Sequence, residues 1–478
     1  MNLNLMAIFP ELLLLALAVA ILVVDPFWKE GNRRNNLGWM ATLGLFGTIV
    51  LSALFAMPGE AQPALGGMVR YDGLGFIFKM LFIFSAAITS LFFMDSEKLG
   101  HRAESYVLLI AATIGMNFMA SASDLIMIYL AIETTSIPMY VLSGFMLDDN
   151  KSTEAGFKYL LFGAFTSAIF LYGLSLVFGF SGTTQISEMR GFFGTFNPVS
   201  GGVLFLLIVG LGFKISLVPF HFWAPDTYEG AASPVAGFLS TASKAAGFAL
   251  LIRLFIMAFP QVAEHWQMLL AILATLSMTL GNLVALAQTN IKRLLAYSSI
   301  AHAGYALIGL VANSKFGVEA VVYYLIAYVA TNLTAFGIIS VFGKTAKSDD
   351  IRAYDGMSRR SPYLGLAMLA AFLSLSGMPP FGGFIGKVLV FAAAMESGWT
   401  WLVIVGVLNS IVGVYYYLTV LKYVYLYRMD GEVEEQHPIA ASRPVVIGLT
   451  VASLGIIAVG VIFAPWFGLA TQAATSLF

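Results

Sequence analysis

Long apolar runs, separated by short polar or glycine- and proline-containing connections, recur along the whole chain. One pass through a hydrocarbon core takes roughly 20 mostly apolar residues. Fourteen runs meet this measure, at 5–24, 37–57, 73–94, 104–122, 124–146, 154–180, 200–223, 231–259, 267–287, 293–312, 317–343, 362–396, 399–427 and 443–467. Segments of this length satisfy their backbone hydrogen bonds internally only as helices. The pattern therefore predicts an all-α polytopic membrane protein, a single integral membrane domain over residues 1–478. The longest connections, Ser181 to Val199, Lys344 to Ser361 and Arg428 to Ser442, are too short for a soluble domain. The first run has no Lys or Arg before it and is long enough to cross, so it reads as a spanning helix rather than a cleaved signal peptide.

Composition sharpens this. Only 11% of the residues are charged and 59% are hydrophobic, against about 25% charged in a soluble domain. A net charge of -1 with no basic tract argues against nucleic acid as a partner. The chain has no cysteine, which excludes disulfides, thiolate-ligated iron–sulfur clusters and cysteine-type zinc sites. The basic residues are also unevenly placed. Connections after odd-numbered spans hold 16, from Lys29, Arg33 and Arg34 through to Lys422, Arg428 and Arg443, whereas the other side holds four, Arg70, Arg190, Arg253 and Lys315. The positive-inside rule puts the odd connections in the cytoplasm and both termini on the opposite face of a bacterial-type cytoplasmic membrane.

Five lysines fall inside predicted spans: Lys79, Lys158, Lys214, Lys244 and Lys387. Burying a charge in a bilayer is expensive, so such residues are candidates for function. Lys79 and Lys158 lie near helix starts, where snorkelling to the surface is favoured. Pro219 in LVPFHFW and Pro379-Pro380 in GMPPFGGF interrupt the seventh and twelfth spans. At 1.5 Å per residue the twelfth run would reach roughly 50 Å against a core of about 30 Å, which predicts a break around Gly377 to Gly383. Each broken helix carries a deep lysine, and the two are five helices apart. Five is odd, so equivalent helices run in opposite directions. This predicts two inverted five-helix repeats, 104–260 and 266–428, followed by a C-terminal span at 443–467.

Glu133 lies about nine residues into the fifth span and is the only deeply placed carboxylate recognised. It either lines an ion path or is neutralised by a structural partner. Lys214 and His221 are seven residues apart, which on a continuous helix places them on one face about 10 Å apart. A Glu133–Lys214 pair of variable separation would be a protonic switch; a static pair would tie helices together. Lys244 sits among Ser240, Thr241 and Ser243, which can hold a water chain. His302 lies mid-span with Ser298, Ser299 and Tyr305 nearby; it is a relay candidate or a helix contact. Lys387 is either a terminal proton carrier or a cap for carbonyls freed by the break. Lys292 and Arg293 read as cytoplasmic charges, with Lys292 placed to gate an entry path. Gly343-Lys344-Thr345 mimics the end of a phosphate-binding loop but has Ile338 where the earlier glycine is required. No residue set suggests hydrolysis, haem or a metal site.

The stretches GFKISLVPFHFWAPDTYEGAASPVAGFLSTASKAAGF, NIKRLLAYSSIAHAGYALIGL and SLSGMPPFGGFIGKVLVF, within Ala122 to Tyr427, resemble the antiporter-like membrane subunits of respiratory NADH-quinone oxidoreductase, complex I. Fourteen spans without room for a lateral amphipathic helix, Lys387 where another branch typically has glutamate, and the form YSSIAHAGY narrow the resemblance to one branch of that family. The resemblance implies that Glu133, Lys214, Lys244, His302 and Lys387 lie on a hydrophilic axis and that quinone reduction elsewhere drives outward proton transfer. It also implies that NADH, FMN, iron–sulfur clusters and quinone belong to or lie between other subunits. The expected partners are neighbouring antiporter-like subunits, lipid, protons and internal water. A subunit of a multisubunit cation/proton antiporter shares these motifs and is the alternative, as is a membrane scaffold whose lysines are fixed in ion pairs.

Overall fold

The computed structural model describes residues 4–28, 30–191, 196–427, 439 and 441–478. Lys29 and Arg428 of the charge bias lie outside the described residues, as do the side chains of Arg33, Arg34 and Arg190. The chain opens with α1 (Phe9–Val24) and α2 (Glu30–Phe55). A small antiparallel hairpin of β1 (Gln62–Ala64) and β2 (Val69–Tyr71), with Pro63 opposite Arg70, follows. Next come α3 (Gly73–Phe93), a short α4 (Glu97–Gly100), α5 (Ala103–Ser121), α6 (Leu125–Ser143) and α7 (Asn150–Ser181). Five shorter or interrupted elements come after them: α8 (Pro198–Lys214), α9 (Trp223–Gly230), α10 (Ser233–Phe238), a π-helical turn at Leu239–Ser243 and α11 (Lys244–Ala258). The remainder is α12 (Ala263–Leu286), α13 (Ile291–Val311), α14 (Lys315–Ala346), α15 (Met357–Arg360), α16 (Pro362–Ser376), α17 (Gly382–Glu396), α18 (Thr400–Tyr425), α19 (Arg443–Val461) and α20 (Phe463–Thr475).

Twelve described helices are long and apolar enough to cross a membrane, and the two interrupted passes are the seventh, α8 with the break at residues 215–222 that follows it, and the twelfth, α16 with α17. Polar residues at helix starts supply the missing backbone partners. Asp124 accepts from Ile126 N at 2.8 Å, and Asn197, just before Pro198, and Ser200, two residues after it, cap α8 reciprocally. The core runs along α10–α11, α13 and α14, which are almost wholly enclosed, whereas α1, α2, α7, α18 and α19 present large apolar side chains outward. The predicted last span ends at Val461, and α20 turns back against α3 and α14.

Both breaks are built so that freed backbone groups find partners, the condition for irregular backbone at membrane depth. At residues 215–222 the Trp223 indole donates to Phe213 O at 3.1 Å, and Ser277 of α12 accepts from Val218 N at 3.0 Å. At the second break Gly377, at φ 83°, ends α16 with the left-handed geometry that glycine tolerates. There Ser374 Oγ accepts from Gly383 N at 3.2 Å.

Three expectations change. Lys79 does not snorkel: it is buried, pairs with Glu11 at 2.8 Å and donates to Ala7 O at 2.7 Å. Glu11, two residues into α1, is a buried carboxylate that the apolar pattern did not single out. Arg253, counted with the connections, is fully buried in α11, where it forks onto Asp72 at 2.8 and 2.9 Å and donates to Ala120 O. Lys158 lies two turns into α7, half-buried, and is held by Glu154 at 2.5 Å and Asp226 at 2.6 Å.

Candidate functional site

The first cluster lies where α6, α7 and α8 meet. Glu133, half-buried on α6, accepts a hydrogen bond from Ser167 of α7. Lys214 is the last residue of α8 and is buried, and its Nζ donates to Ser136 at 3.0 Å, one turn along α6 from Glu133. Glu133 and Lys214 therefore flank the same helix turn, but among the described residues no direct pair joins them within 4.0 Å. A cavity of about 20 Å³ beside Lys214, room for about one water, is lined by Ser136, Tyr140 and Ser167, the partner of Glu133.

His221 does not share a helix face with Lys214. The helix ends at Lys214, and His221 lies in the interruption, so the seven-residue helical spacing does not apply. It is buried at the wall of a cavity of about 520 Å³ shared with Pro219, Asp226, Arg293 and Tyr297.

Lys244 follows the π-helical turn, a feature that apolar periodicity does not reveal and that often marks functional positions. Its neighbours Ser240 and Thr241 bond back to Gly237 O, and the ammonium instead donates to Ser299 O of α13 at 2.7 Å. His302, one helical turn further along α13, is held from both sides. Tyr324 of α14 lies 2.6 Å from Nδ1 and Tyr417 of α18 lies 3.0 Å from Nε2, and Tyr417 is hydrogen-bonded to Ser298. Of the neighbours expected for His302, Tyr305 packs edge-on at 5.7 Å between ring centroids. Tyr324 and Tyr417 were not identified, because apolar helices are rich in tyrosine and nothing in VVYYLIAY or VYYYL marks which one turns inward.

Lys387 projects from α17 into the second break. It donates to Leu375 O at 3.2 Å and Ser376 O at 3.1 Å, with its Nζ 4.8 Å from the centroid of the Tyr305 ring. A cavity of about 10 Å³ is lined by His302, Tyr324, Thr331, Ser374 and Leu375, the last of which holds the Lys387 ammonium through its carbonyl.

Outside the spans, α9 carries Asp226 and Glu229. Burial pushes both carboxyls up, but Lys158 and Arg293 on Asp226, and Lys151 and Arg293 on Glu229, outweigh it and hold both below the usual carboxylate range. Glu229, Lys151, Lys292, Lys344 and Asp349 line a cavity of about 770 Å³, and Lys292 pairs with Asp349 at 3.1 Å. Among the described residues no group of three or more His, Asp or Glu is assembled to hold a metal ion.

The family model described as "NADH:quinone oxidoreductase/Mrp antiporter, TM" matches residues 122–413. The NADH-quinone oxidoreductase subunit N of Moorella thermoacetica is 43% identical over 100% of this chain and 99% of its own length. The NAD(P)H-quinone oxidoreductase subunit 2 of Nostoc punctiforme is 40% identical over 98% of this chain and 90% of its own. A chain of respiratory complex I from Thermus thermophilus superposes with a TM-score of 0.82 at 34% identity, covering 97% of this chain and 99% of that one. A chain of the Mrp complex from Dietzia sp. shares the fold, with a TM-score of 0.87 at 17% identity over 99% and 98% of the two chains. With the helix breaks, the deep lysines and a full-length match in agreement, the chain belongs to the NADH:quinone oxidoreductase/Mrp antiporter membrane-subunit family.

Proposed function

We propose that this chain is the proton-translocating subunit N of NADH-quinone oxidoreductase, coupling electron transfer from NADH to quinone in neighbouring subunits to outward proton movement. The observation that carries the reading is a set of buried ionisable side chains: Lys214 at the first break, Lys244 after the π-helical turn, His302 on α13 and Lys387 at the second break, with His221 in the first break and half-buried Glu133 one turn along α6 from the Ser136 that holds Lys214. Protons enter on the side of the ion-paired cavity around Lys292 and Glu229, taken as cytoplasmic from the basic-residue bias. They reach Lys214 and Lys244, pass His302 to Lys387, and leave on the face where both termini lie.

The two five-helix units, 104–260 and 266–428, are the halves of this path. Their third helices, α7 and α14, both have 32 residues, their fourth helices are the broken ones, and their fifth passes, Ser233–Ala258 and Thr400–Tyr425, both have 26. The chain has no cysteine for an iron–sulfur cluster; by its likeness to subunit N, FMN, NADH and quinone are likewise assigned to other subunits, and other antiporter-like subunits are taken as its neighbours. The relatives of 39–43% identity are named as subunits of quinone oxidoreductases, whereas the Mrp likeness, at 17%, concerns the fold alone.

The test is gentle solubilisation, capture of this chain, and an in-gel NADH dehydrogenase stain of what migrates with it. A large NADH-active, quinone-reducing assembly is expected. A smaller assembly without that activity, exchanging protons for sodium without NADH, establishes the antiporter reading instead.

A further inference from the structure

The relay through the centre of the protein is drawn so far from lysines and one histidine, yet the closest contacts to His302 are phenolic hydroxyls from two other helices. A neutral imidazole has one donor nitrogen and one acceptor nitrogen, while a hydroxyl serves as either. His302 has a hydroxyl on each nitrogen, at 2.6 Å on Nδ1 and 3.0 Å on Nε2, and Tyr417 is bonded in turn to Ser298. Ser298 adjoins Ser299, whose carbonyl holds Lys244. At the other end Tyr324 borders the cavity of about 10 Å³ whose wall includes Leu375. The Leu375 carbonyl holds Lys387.

Resting on the function proposed above, we propose that Tyr417 and Tyr324 are relay residues: with Ser298 and His302 they form a hydroxyl–imidazole wire joining the Lys244 and Lys387 sides of the protein. In one polarity Ser298 donates to Tyr417, Tyr417 donates to Nε2, and Nδ1–H donates to Tyr324. A proton arriving at Ser298 displaces the serine proton onto Tyr417, and the Tyr417 proton moves onto Nε2. Nδ1 then gives its proton to Tyr324, whose own proton leaves to water in the small cavity. One proton enters and one leaves, no side chain keeps a charge, and every hydrogen bond ends reversed. A second proton cannot follow until the hydroxyls rotate and the imidazole exchanges tautomer, so the wire passes one proton per reset. This requirement for reorientation also opposes uncontrolled leakage between the two halves.

Phenylalanine at either position keeps the ring and removes only the hydroxyl. For Tyr417 this retains the edge-on packing on Phe372 at 5.7 Å. The experiment measures NADH-driven proton uptake in proteoliposomes of the whole assembled complex for Tyr417→Phe, Tyr324→Phe, Lys387→Met and Tyr323→Phe. Tyr323 donates to Val459 O at 2.6 Å and is off the wire, so its substitution controls for loss of a buried hydroxyl on the same helix. Expected for both wire variants is normal assembly with proton-coupled turnover lowered about 10-fold or more, since a positioned proton donor typically contributes roughly 10²–10⁴-fold. The solvent deuterium effect on turnover should also rise, which a packing defect does not produce. Wild-type pumping in Tyr417→Phe and Tyr324→Phe alongside a Lys387→Met block overturns the wire alone. Wild-type pumping in Lys387→Met as well overturns the functional reading beneath it. Equal losses in Tyr323→Phe and the wire variants, with unchanged isotope effects, assign the hydroxyls to packing and also overturn the wire.

Discussion

Substituting Lys387 by arginine and by methionine separates a proton carrier from a cap on the broken helix. Its ammonium satisfies the carbonyls of Leu375 and Ser376. Methionine leaves both without that donor, which costs about 1–3 kcal/mol for each buried group. It also relieves the burial of an ammonium, a penalty of several kcal/mol. The two effects are similar in size and opposite in sign, so folding stability should change by about 3 kcal/mol or less. Arginine keeps the charge and the donors but does not release its proton in a protein. If Lys387 only caps the break, arginine sustains pumping. If it carries protons, arginine and methionine both block, slowing the transfer step by roughly 10²–10⁴-fold, or about 3–5 kcal/mol of barrier. The site is tight, with a Cβ on Gly377 falling 2.9 Å from Lys387 Cδ, so Lys387→Gln, smaller than arginine and neutral, serves as the size control and must also block. The assay is NADH-driven acidification by reconstituted complex, with NADH oxidation before and after an uncoupler and assembly on native gels. Arginine with wild-type pumping would refute the carrier role.

Arg253→Met should destabilise the chain by about 3–5 kcal/mol, because it leaves Asp72 buried without its main counter-charge; a thermal melt of the captured complex tests this, and Asp72→Ala in the same background should recover part of the loss. Gly383→Ala places a Cβ 2.0 Å from Ser374 O, a backbone atom that cannot swing aside, so assembly should fall on native gels; normal assembly would mean that the break can open without loss. Asp226 and Glu229 are held below the usual carboxylate range, so their contribution to stability is present above the ordinary carboxylate pKa and disappears as pH falls through the lowered values. Both are partly exposed, so the effect is small: melting curves of wild type and Asp226→Asn should differ slightly at neutral pH and converge in acid, and a gap that widens in acid would contradict the assignment.

Much of this protein was legible from its residues because a bilayer imposes a severe rule on sequence. Each pass must be long, apolar and self-bonded, so span number, broken seventh and twelfth passes and deep lysines could be read without coordinates. Pro219, Pro379 and Pro380 marked the interruptions since proline lacks an N–H wherever it stands. The same apolar rule erased other information. Inside a helix whose faces are all hydrophobic, periodicity does not say which way a side chain turns. Only packing of α13, α14 and α18 set Tyr324 and Tyr417 against His302, and only the approach of α3 to α11 turned Arg253 into a buried partner of Asp72. The spacing of Lys214 and His221 misled because a helical ruler fails across a break. Charge and length act locally and are written in the chain, whereas the partner of a buried polar group comes from a distant segment and is settled only when the helices close around it.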